Sequence, residues 1–473
     1  MTARTRLLSA ALVVGLAAAG AAVYAGHESA TGLADATTIT EINGRHIVGL
    51  NLSDFLTRGD SDHQLIEMAY ERVERAYYKP VADELLVSGE QKALTNFLKT
   101  KKVASPEVPH SVATGDHARD VAVLETTLAS VQKRYAALAP HEQYTQVALA
   151  GMLGGLGDPY TTYLSPKEIS GLDEQLQGGH FGGIGVYIVQ NPRNGQILVD
   201  PIDGNPAIKA GVRPGDVILA VDGHPTAGKK LDDVEREIRG PLGTVVSLTL
   251  KRHAGTGNAT VQVTRAEVHV PSVRYKMENG IAYVRLADFG TTSAQEVRTA
   301  FLEAKKAGAR GYILDLRNNG GGLLDAAVDI SSLFIPQGTI VATIDRAGDR
   351  DTRSATGRTI DAKPLVLLVN KYTASASEIT AGAVQDYGVG TLVGEKTFGK
   401  GVVQSLYTMP DKGALKITTA RYVTPKGRDI QHKGIVPDMI VPQAVDGSGA
   451  PIMDTPADKQ LAAAKKIIES KDK

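Results

Sequence analysis

Two hydroxyls separated by one alanine, Ser375 and Ser377, occur in NKYTASASEITAG (370–382) directly after an apolar run. Small residues stand where larger side chains could pack, which leaves room for a polypeptide to approach. Ser375 falls where a strand expected over 364–369 meets a helix expected over 376–387. Reactive groups in open α/β sheets gather at the carboxyl ends of strands. A helix N-terminus also offers backbone N–H groups and a partial positive potential to a developing oxyanion. The same residues allow a purely local reading, with Ser375 as an N-cap and Glu378 as its capping-box partner. Ser377, turned into the helix, is expected to be inert.

A nucleophilic serine needs a base. None of the eleven histidines lies between His269 and His432, so a Ser-His-Asp arrangement must borrow from another domain or from His432. The other base used with serine is a lysine of lowered pKa. Lys400 in GEKTFGKGVVQ follows a strand expected over 389–397 and is flanked by Gly399 and Gly401, which let the backbone pass close to a neighbouring element. Lys400, Val402 and Gln404 alternate, so an extended chain points all three the same way and lets Gln404 hold the lysine nitrogen. Working at neutral pH requires a fall from ~10.4 to about 7–8, which apolar burial beside Val402 and Val403 can produce. Residues 394–400 also fit the first seven positions of a phosphate loop, GxxxxGK[ST]. Gly401 replaces the required hydroxyl, and β-branched VVQSLYTM follows where that loop needs a helix, which disfavours nucleotide binding. NNGGG (318–322), after the strand GYILDLR, presents backbone N–H groups unobstructed by side chains. An oxyanion hole or anion nest needs such groups, and an ordinary glycine-rich turn is the alternative.

The elements that position these residues follow from hydrophobic periodicity. HQLIEMAYERVERAYY spaces Leu65, Ala69, Val73 and Ala76/Tyr77 for a helix, and similar patterns recur to residue 165. This helical region, 27–165, carries no chemistry of its own and is a candidate packing or dimerisation module. Short β-branched runs between turns, with one helix at LDDVEREIRG, mark a small β-rich domain over 178–268. Strand–helix–strand repeats then build an α/β domain over 269–445, with Ser293 as a helix cap, before a linker and amphipathic helix over 446–473. Strands such as LVLLV are apolar on both sides, as expected when helices cover both faces.

At 473 residues two or three domains are expected. Lys plus Arg and Asp plus Glu are each 52, Trp is absent and the few aromatics form no stacking series, which argues against nucleic-acid binding. Arg4 and Arg6 precede an uncharged apolar run over 7–25, the pattern of an export signal or N-terminal membrane anchor over 1–26. Zero cysteines excludes disulfides, so stability must come from core burial.

DLRNNGGGLL, VNKYTASASEITAGAVQD, GEKTFGKGVVQ and YVTPKGRDIQHKGIVPD resemble, in order and spacing, the C-terminal processing peptidases, or tail-specific proteases. The resemblance spans about residues 148–467 and implies Ser375 as nucleophile, Lys400 as general base and Gln404 as its positioner. It implies an oxyanion hole at the Ala376 amide and Gly321, a crotonase-like α/β catalytic core, and no metal or cofactor. GGIGVYI and AGVRPGDVILAVDGHP resemble a PDZ domain, whose amides around Gly183, Ile184, Gly185 and Val186 would cap a substrate's C-terminal carboxylate. The expected whole is a multidomain α/β protein: an exported serine endopeptidase acting on free protein tails, recruited and gated by the PDZ-like domain. The alternative is a catalytically inactive PDZ adaptor. Tyr78-Lys79-Pro80 lies some seventy residues before GMLGGLGDPY, a departure from the family's short helical region.

Overall fold

The computed structural model describes residues 39–42, 45–48 and 62–471, apart from 177–180, 192–193, 254–256, 269 and 446–451. The basic and apolar segment 1–26 lies outside the described residues. Among those described, no helix is long and apolar enough to cross a membrane. The expectation of helix throughout 27–165 needs correction near its start. Ile39–Ile42 (β1) and Arg45–Val48 (β2) pair antiparallel. Ile39, Thr40, Ile42, Ile47 and Val48 are β-branched, a composition that favours strands.

Four helices follow: α1 (Asp62–Ala76), α2 (Asp83–Thr100), α3 (His117–Arg134) and α4 (His141–Gly154). Ala69 and Val73 are buried as their spacing predicts, together with Ile66 and Tyr70. Asp116 caps α3 by accepting from the Arg119 amide at 3.0 Å. The apolar faces of these helices meet one another, Tyr163 just beyond them, and Met409, Leu415 and Ile417 from much later in the chain. The helical region is thus a packing module for this chain's own sheet. It continues into β3 (Thr162–Leu164) and α5 (Pro166–Leu176).

The β-rich domain begins at β4 (Phe181–Gly183), β5 (Val186–Gln190) and β6 (Ile197–Pro201), followed by a short α6 (Pro206–Lys209). It continues with β7 (Asp216–Val221), β8 (His224–Pro225), α7 (Leu231–Ile238), β9 (Val245–Lys251), β10 (Asn258–Thr264) and β11 (Ala266–Val268). The sheet order β10-β9-β7-β6-β5 leaves β5 at one edge, with α7 packed alongside it. Strands β4 and β11 pair where the chain enters and leaves the domain.

The α/β domain opens with β12 (Val273–Glu278), β13 (Ile281–Leu286), α8 (Ser293–Lys306), β14 (Gly311–Asp315) and α9 (Leu324–Ser332). Next come β15 (Thr339–Ile344), β16 (Arg350–Ser354), β17 (Leu365–Val369), α10 (Ala376–Tyr387) and β18 (Thr391–Gly394). β19 (Val402–Thr408), β20 (Ala414–Val423), β21 (Met439–Ile440) and α11 (Lys459–Lys471) complete it. The main sheet runs β12-β13-β14-β17-β18-β21 and is parallel except at β12. Ala282, Val284, Leu314 and Leu367 face the core under α8, α9 and α10, while Tyr283, Ile313, Val366 and Leu368 face α11. Both sides are covered, which is why LVLLV carries no polar alternation. A second sheet, β16-β15-β20-β19, takes β3 onto β20.

Two local expectations shift. The strand expected over 389–397 stops at Gly394, because the chain there crosses from the main sheet to the second one. Ser293 is the first helical residue and not the cap; its hydroxyl donates to the Gly290 carbonyl at 2.8 Å.

One buried group works against the fold. Glu90, on the inner face of α2, is fully buried, and neither carboxyl oxygen accepts a hydrogen bond. Burial raises its pKa well above the ordinary carboxylate range. The folded chain therefore binds a proton that the unfolded chain releases, and stability falls as pH rises above the unfolded carboxyl's value. Glu90→Met should raise Tm, by the equivalent of ~1–3 kcal/mol for an unmet buried polar group, and by more at pH 8 than at pH 5. Melting curves at both pH values check this, and a pH-independent loss of stability would contradict it.

Candidate active site

Strands β14 and β17 run parallel, so both chains turn at the same edge of the sheet. Asn370 Nδ2 donates to Asn318 Oδ1 at 2.7 Å, and the Asn318 amide donates to Asn370 Oδ1 at 3.0 Å, joining the two turns. Asn319 then anchors the glycine turn. Its Nδ2 donates to the Leu286 carbonyl at 2.9 Å, and its own carbonyl accepts from the Ala374 amide and Ser377 Oγ, both at 3.0 Å. The Ser377 hydroxyl is thereby occupied in holding the turn. Gly321 has φ of +102°, and a Cβ there would lie 2.8 Å from each of Ala374 O, Ala376 N and Ser375 Cβ. Contact and conformation both require glycine at this position. The structure thus brings Gly321, Ser375 and Ala376 together. The Gly321 amide, expected to face an oxyanion, donates to Asn319 Oδ1 at 2.9 Å.

Beneath the turn, Arg317 is buried with Asp315 and Asp458. Its Nε donates to Asp315 Oδ1 and its Nη1 to Asp458 Oδ1, each at 2.9 Å. The guanidinium ties the root of the glycine turn to the start of α11. Each buried charge has an opposite, geometrically matched partner.

Ser375 is the N-cap of α10, fully buried, with φ +58° and ψ −119°. A non-glycine residue held there carries strain on the order of 1–3 kcal/mol, and such residues cluster at functional sites. The Ser375 amide donates to Glu378 Oε2 at 2.9 Å, the return bond of the expected capping box. The same Oε2 accepts from the Lys400 amide at 2.9 Å, while Oε1 accepts from the Gly399 amide at 2.7 Å and Thr397 Oγ1 at 2.5 Å. One buried carboxylate therefore joins the serine and lysine backbones. Burial raises its pKa, against the opposing pull of these four donors. A second joint forms on the carbonyl side: the buried Tyr422 hydroxyl lies 2.6 Å from the Lys400 carbonyl and 3.0 Å from that of Ser375.

Lys400 is 2% exposed, and its Nζ lies 4.9 Å from the centroid of the Tyr160 ring. Burial pushes its pKa down to about 7; Lys416 adds to the fall, and Asp158 and Glu378 oppose it. Val402, Val403 and Gln404 are buried with it. Gln404 Nε2 donates to Thr418 Oγ1 at 3.3 Å, and Gln404 Oε1 accepts no hydrogen bond. The expected bond from Lys400 to Gln404 is thus not formed here, and the ladder shifts register between Val403 and Gln404, which interrupts the alternation expected from residue 400 to 404. Gly399 and Gly401 do lie against a neighbouring backbone, but that neighbour is the 431–434 segment: a Cβ at either would come within 2.8 Å of it. His432 is exposed and rests against the Gln431 side chain.

In the β-rich domain, Gly183 ends β4 and Val186 begins edge strand β5. Between them, the Ile184 carbonyl accepts from the Ala207 amide at 2.8 Å, and that of Gly185, φ +72°, from Ile202 at 2.9 Å. Among the described residues no cluster of three or more potential metal-ligating side chains occurs.

The sequence reading missed Tyr160, Asn319 and Tyr422, and saw Glu378 only as a cap. Asn319 and Glu378 were visible beside recognised motifs, although what they bond across the fold was not. Tyr160 lay in GDPYTTYLSP, which reads as a boundary. Nothing in its local spacing signals that it covers a lysine 240 positions later.

The peptidase family S41 model matches residues 280–441, and a PDZ domain model matches 198–252. A carboxyl-terminal-processing protease of Synechocystis sp. is 39% identical over 334 residues, covering 69% of this chain and 78% of its own. One from Picosynechococcus sp. is 41% identical over 326 residues, covering 68% and 78%. The solved photosystem II D1 C-terminal processing protease is 31% identical, covering 83% of this chain and 97% of its own, with a TM-score of 0.43.

A lysine held near pH 7 by burial should leave a mark on stability. The unfolded chain binds a proton that folded Lys400 has released between its folded value, about 7, and the ordinary lysine value of 10.5. Stability then rises with pH across that window, and the burial penalty is fully present below it. Lys400→Met should therefore raise Tm at pH 7, by the equivalent of a few kcal/mol at most, with the gain shrinking toward pH 10. Calorimetry of the two forms across this range checks the sign.

Proposed function

The chain belongs to the carboxyl-terminal-processing proteases of peptidase family S41, and from that membership we propose an exported endopeptidase that uses a Ser375/Lys400 mechanism to cleave proteins at or near their C-terminal tails. The observation that carries the mechanism is the double joint between the two residues: Glu378 binds both amides and the Tyr422 hydroxyl lies between both carbonyls. Ser375 Oγ attacks the scissile carbonyl while neutral Lys400 Nζ takes its proton. The oxyanion is held by the Ala376 amide, backed by the α10 N-terminus, and by the Gly321 amide once that exchanges Asn319 Oδ1 for it. Lys400 then passes the proton to the leaving amine, and the same base activates water to release the acyl group. Gln404 Oε1, a buried acceptor without a donor, receives the lysine ammonium during these steps. Below pH about 7 the amine is protonated and the rate falls.

The β-rich domain supports recruitment. Its edge strand β5 offers unpaired backbone for an added peptide strand, and residues 183–186 lie at the end of β5 where a terminal carboxylate would be capped. The N-terminal basic and apolar segment supports action outside the cytoplasm.

Incubation with an unfolded reporter ending in a free carboxylate tests the chemistry. Ser375→Ala should lose at least a thousandfold in kcat/KM. Lys400→Arg should do the same, because a guanidinium stays protonated. Cleavage by Ser375→Ala, or none by the unsubstituted protein, would overturn the assignment. Amidating the reporter's C-terminus should raise KM or slow activation, and no change would remove the carboxylate-capping role. Fractionation of cells carrying the full chain should place the activity outside the cytoplasm, and its recovery in the cytosol would refute export.

A further inference from the structure

The Lys400 amine is covered by a residue from outside the catalytic domain. Tyr160 belongs to the turn that leaves α4, yet its ring stands over Nζ at 4.9 Å. A continuous chain of bonds holds that turn. Asp158 Oδ1 accepts from the Tyr160 amide at 3.0 Å, and Oδ2 accepts from Thr161 Oγ1 at 2.8 Å. Thr161 Oγ1 accepts from the Thr418 amide at 3.0 Å, and Thr418 Oγ1 accepts from Gln404 Nε2 at 3.3 Å. Thr161, Thr418 and Gln404 are all buried. The chain therefore runs from the tyrosine turn to the glutamine two residues past Val402.

We propose that Tyr160 is a positioning residue for the general base: its ring closes the Lys400 amine from water, and the Asp158–Thr161–Thr418 chain keeps the ring there. The proposal rests on the reading of Lys400 as base. Two effects of the ring oppose each other. Its face attracts an ammonium by about 0.5–2 kcal/mol, which favours the protonated lysine. Water solvates an ammonium far more strongly, so a ring that replaces water favours the neutral amine on balance. Removing the ring should admit water and return the lysine toward its ordinary basicity. The residual attraction of the ring face acts once the amine has taken the serine proton, when charge first appears beneath it.

The pH dependence of kcat/KM on a peptide reporter tests this, comparing the unsubstituted enzyme with Tyr160→Ala and Tyr160→Phe, and with Lys400→Ala as control. Tyr160→Ala should move the acid limb upward by about one pH unit, roughly a tenfold loss below the limb, with recovery at high pH. Tyr160→Phe keeps the ring and should restore the limb to its original position. A merely structural role would lower the rate at every pH without moving the limb. An unmoved limb in Tyr160→Ala, with Lys400→Ala inactive, overturns the inference while leaving the base intact. Activity in Lys400→Ala overturns the base assignment itself. If Tyr160→Ala shows no cooperative melting, Thr161→Val replaces it. That variant cuts the chain and keeps the ring, and it should shift the limb in the same direction by a smaller amount; no shift then overturns the inference.

Discussion

The Glu378 carboxylate holds the candidate site together. It lies one helical turn past Ser375 and accepts four hydrogen bonds, two of them from the amides of Ser375 and Lys400. A buried carboxylate is costly unless its acceptor sites are filled, and here the filling fixes where a second chain segment must run. The loop from Gly394 to Val402 could otherwise take many paths between the two sheets. Bonds from Thr397, Gly399 and Lys400 to a single side chain restrict it, and Tyr422 restrains the same two residues from their carbonyl side.

That restraint stabilises features that would be unfavourable alone. Ser375 sits at positive φ, and Lys400 is a cation-forming group almost wholly removed from water. Both are conditions that the surrounding fold has to over-determine. Gly321 pressed against Ser375, the Asn318–Asn370 pair and the Arg317 ion network supply such support from below the turn. A strained serine and a dehydrated lysine both cost stability, and strain and burial of this kind concentrate at functional sites.

The helical N-terminal region takes part in the same arrangement. Its core is completed by Leu415 and Ile417 of β20, the strand that also carries Thr418. The Tyr78 amide donates to the Thr418 carbonyl at 2.9 Å, so α1's end and the α4 turn both meet the strand beside Gln404. A region remote in sequence thus contributes to the wall around the lysine.

Much of this was legible from residue types and spacing. The strand before Ser375, the helix after it, the glycine turn after β14 and the two-sided burial of LVLLV follow from periodicity and turn chemistry, which act within a few residues. The absence of histidine between His269 and His432, together with the glycines flanking Lys400, pointed to that lysine. Other features were not legible, because they depend on contacts between segments far apart in the chain. Spacing showed Glu378 as a cap, and only tertiary folding made it the joint between Ser375 and Lys400. Gly399 and Gly401 announced a close approach without naming the 431–434 segment as its neighbour. The sequence by itself determined which groups could react and which local elements carry them. Tertiary structure alone decided that Lys400 is dry, that Gln404 faces Thr418, and that Tyr160 covers the amine, since burial and long-range hydrogen bonds exist only once the sheets and helices have packed.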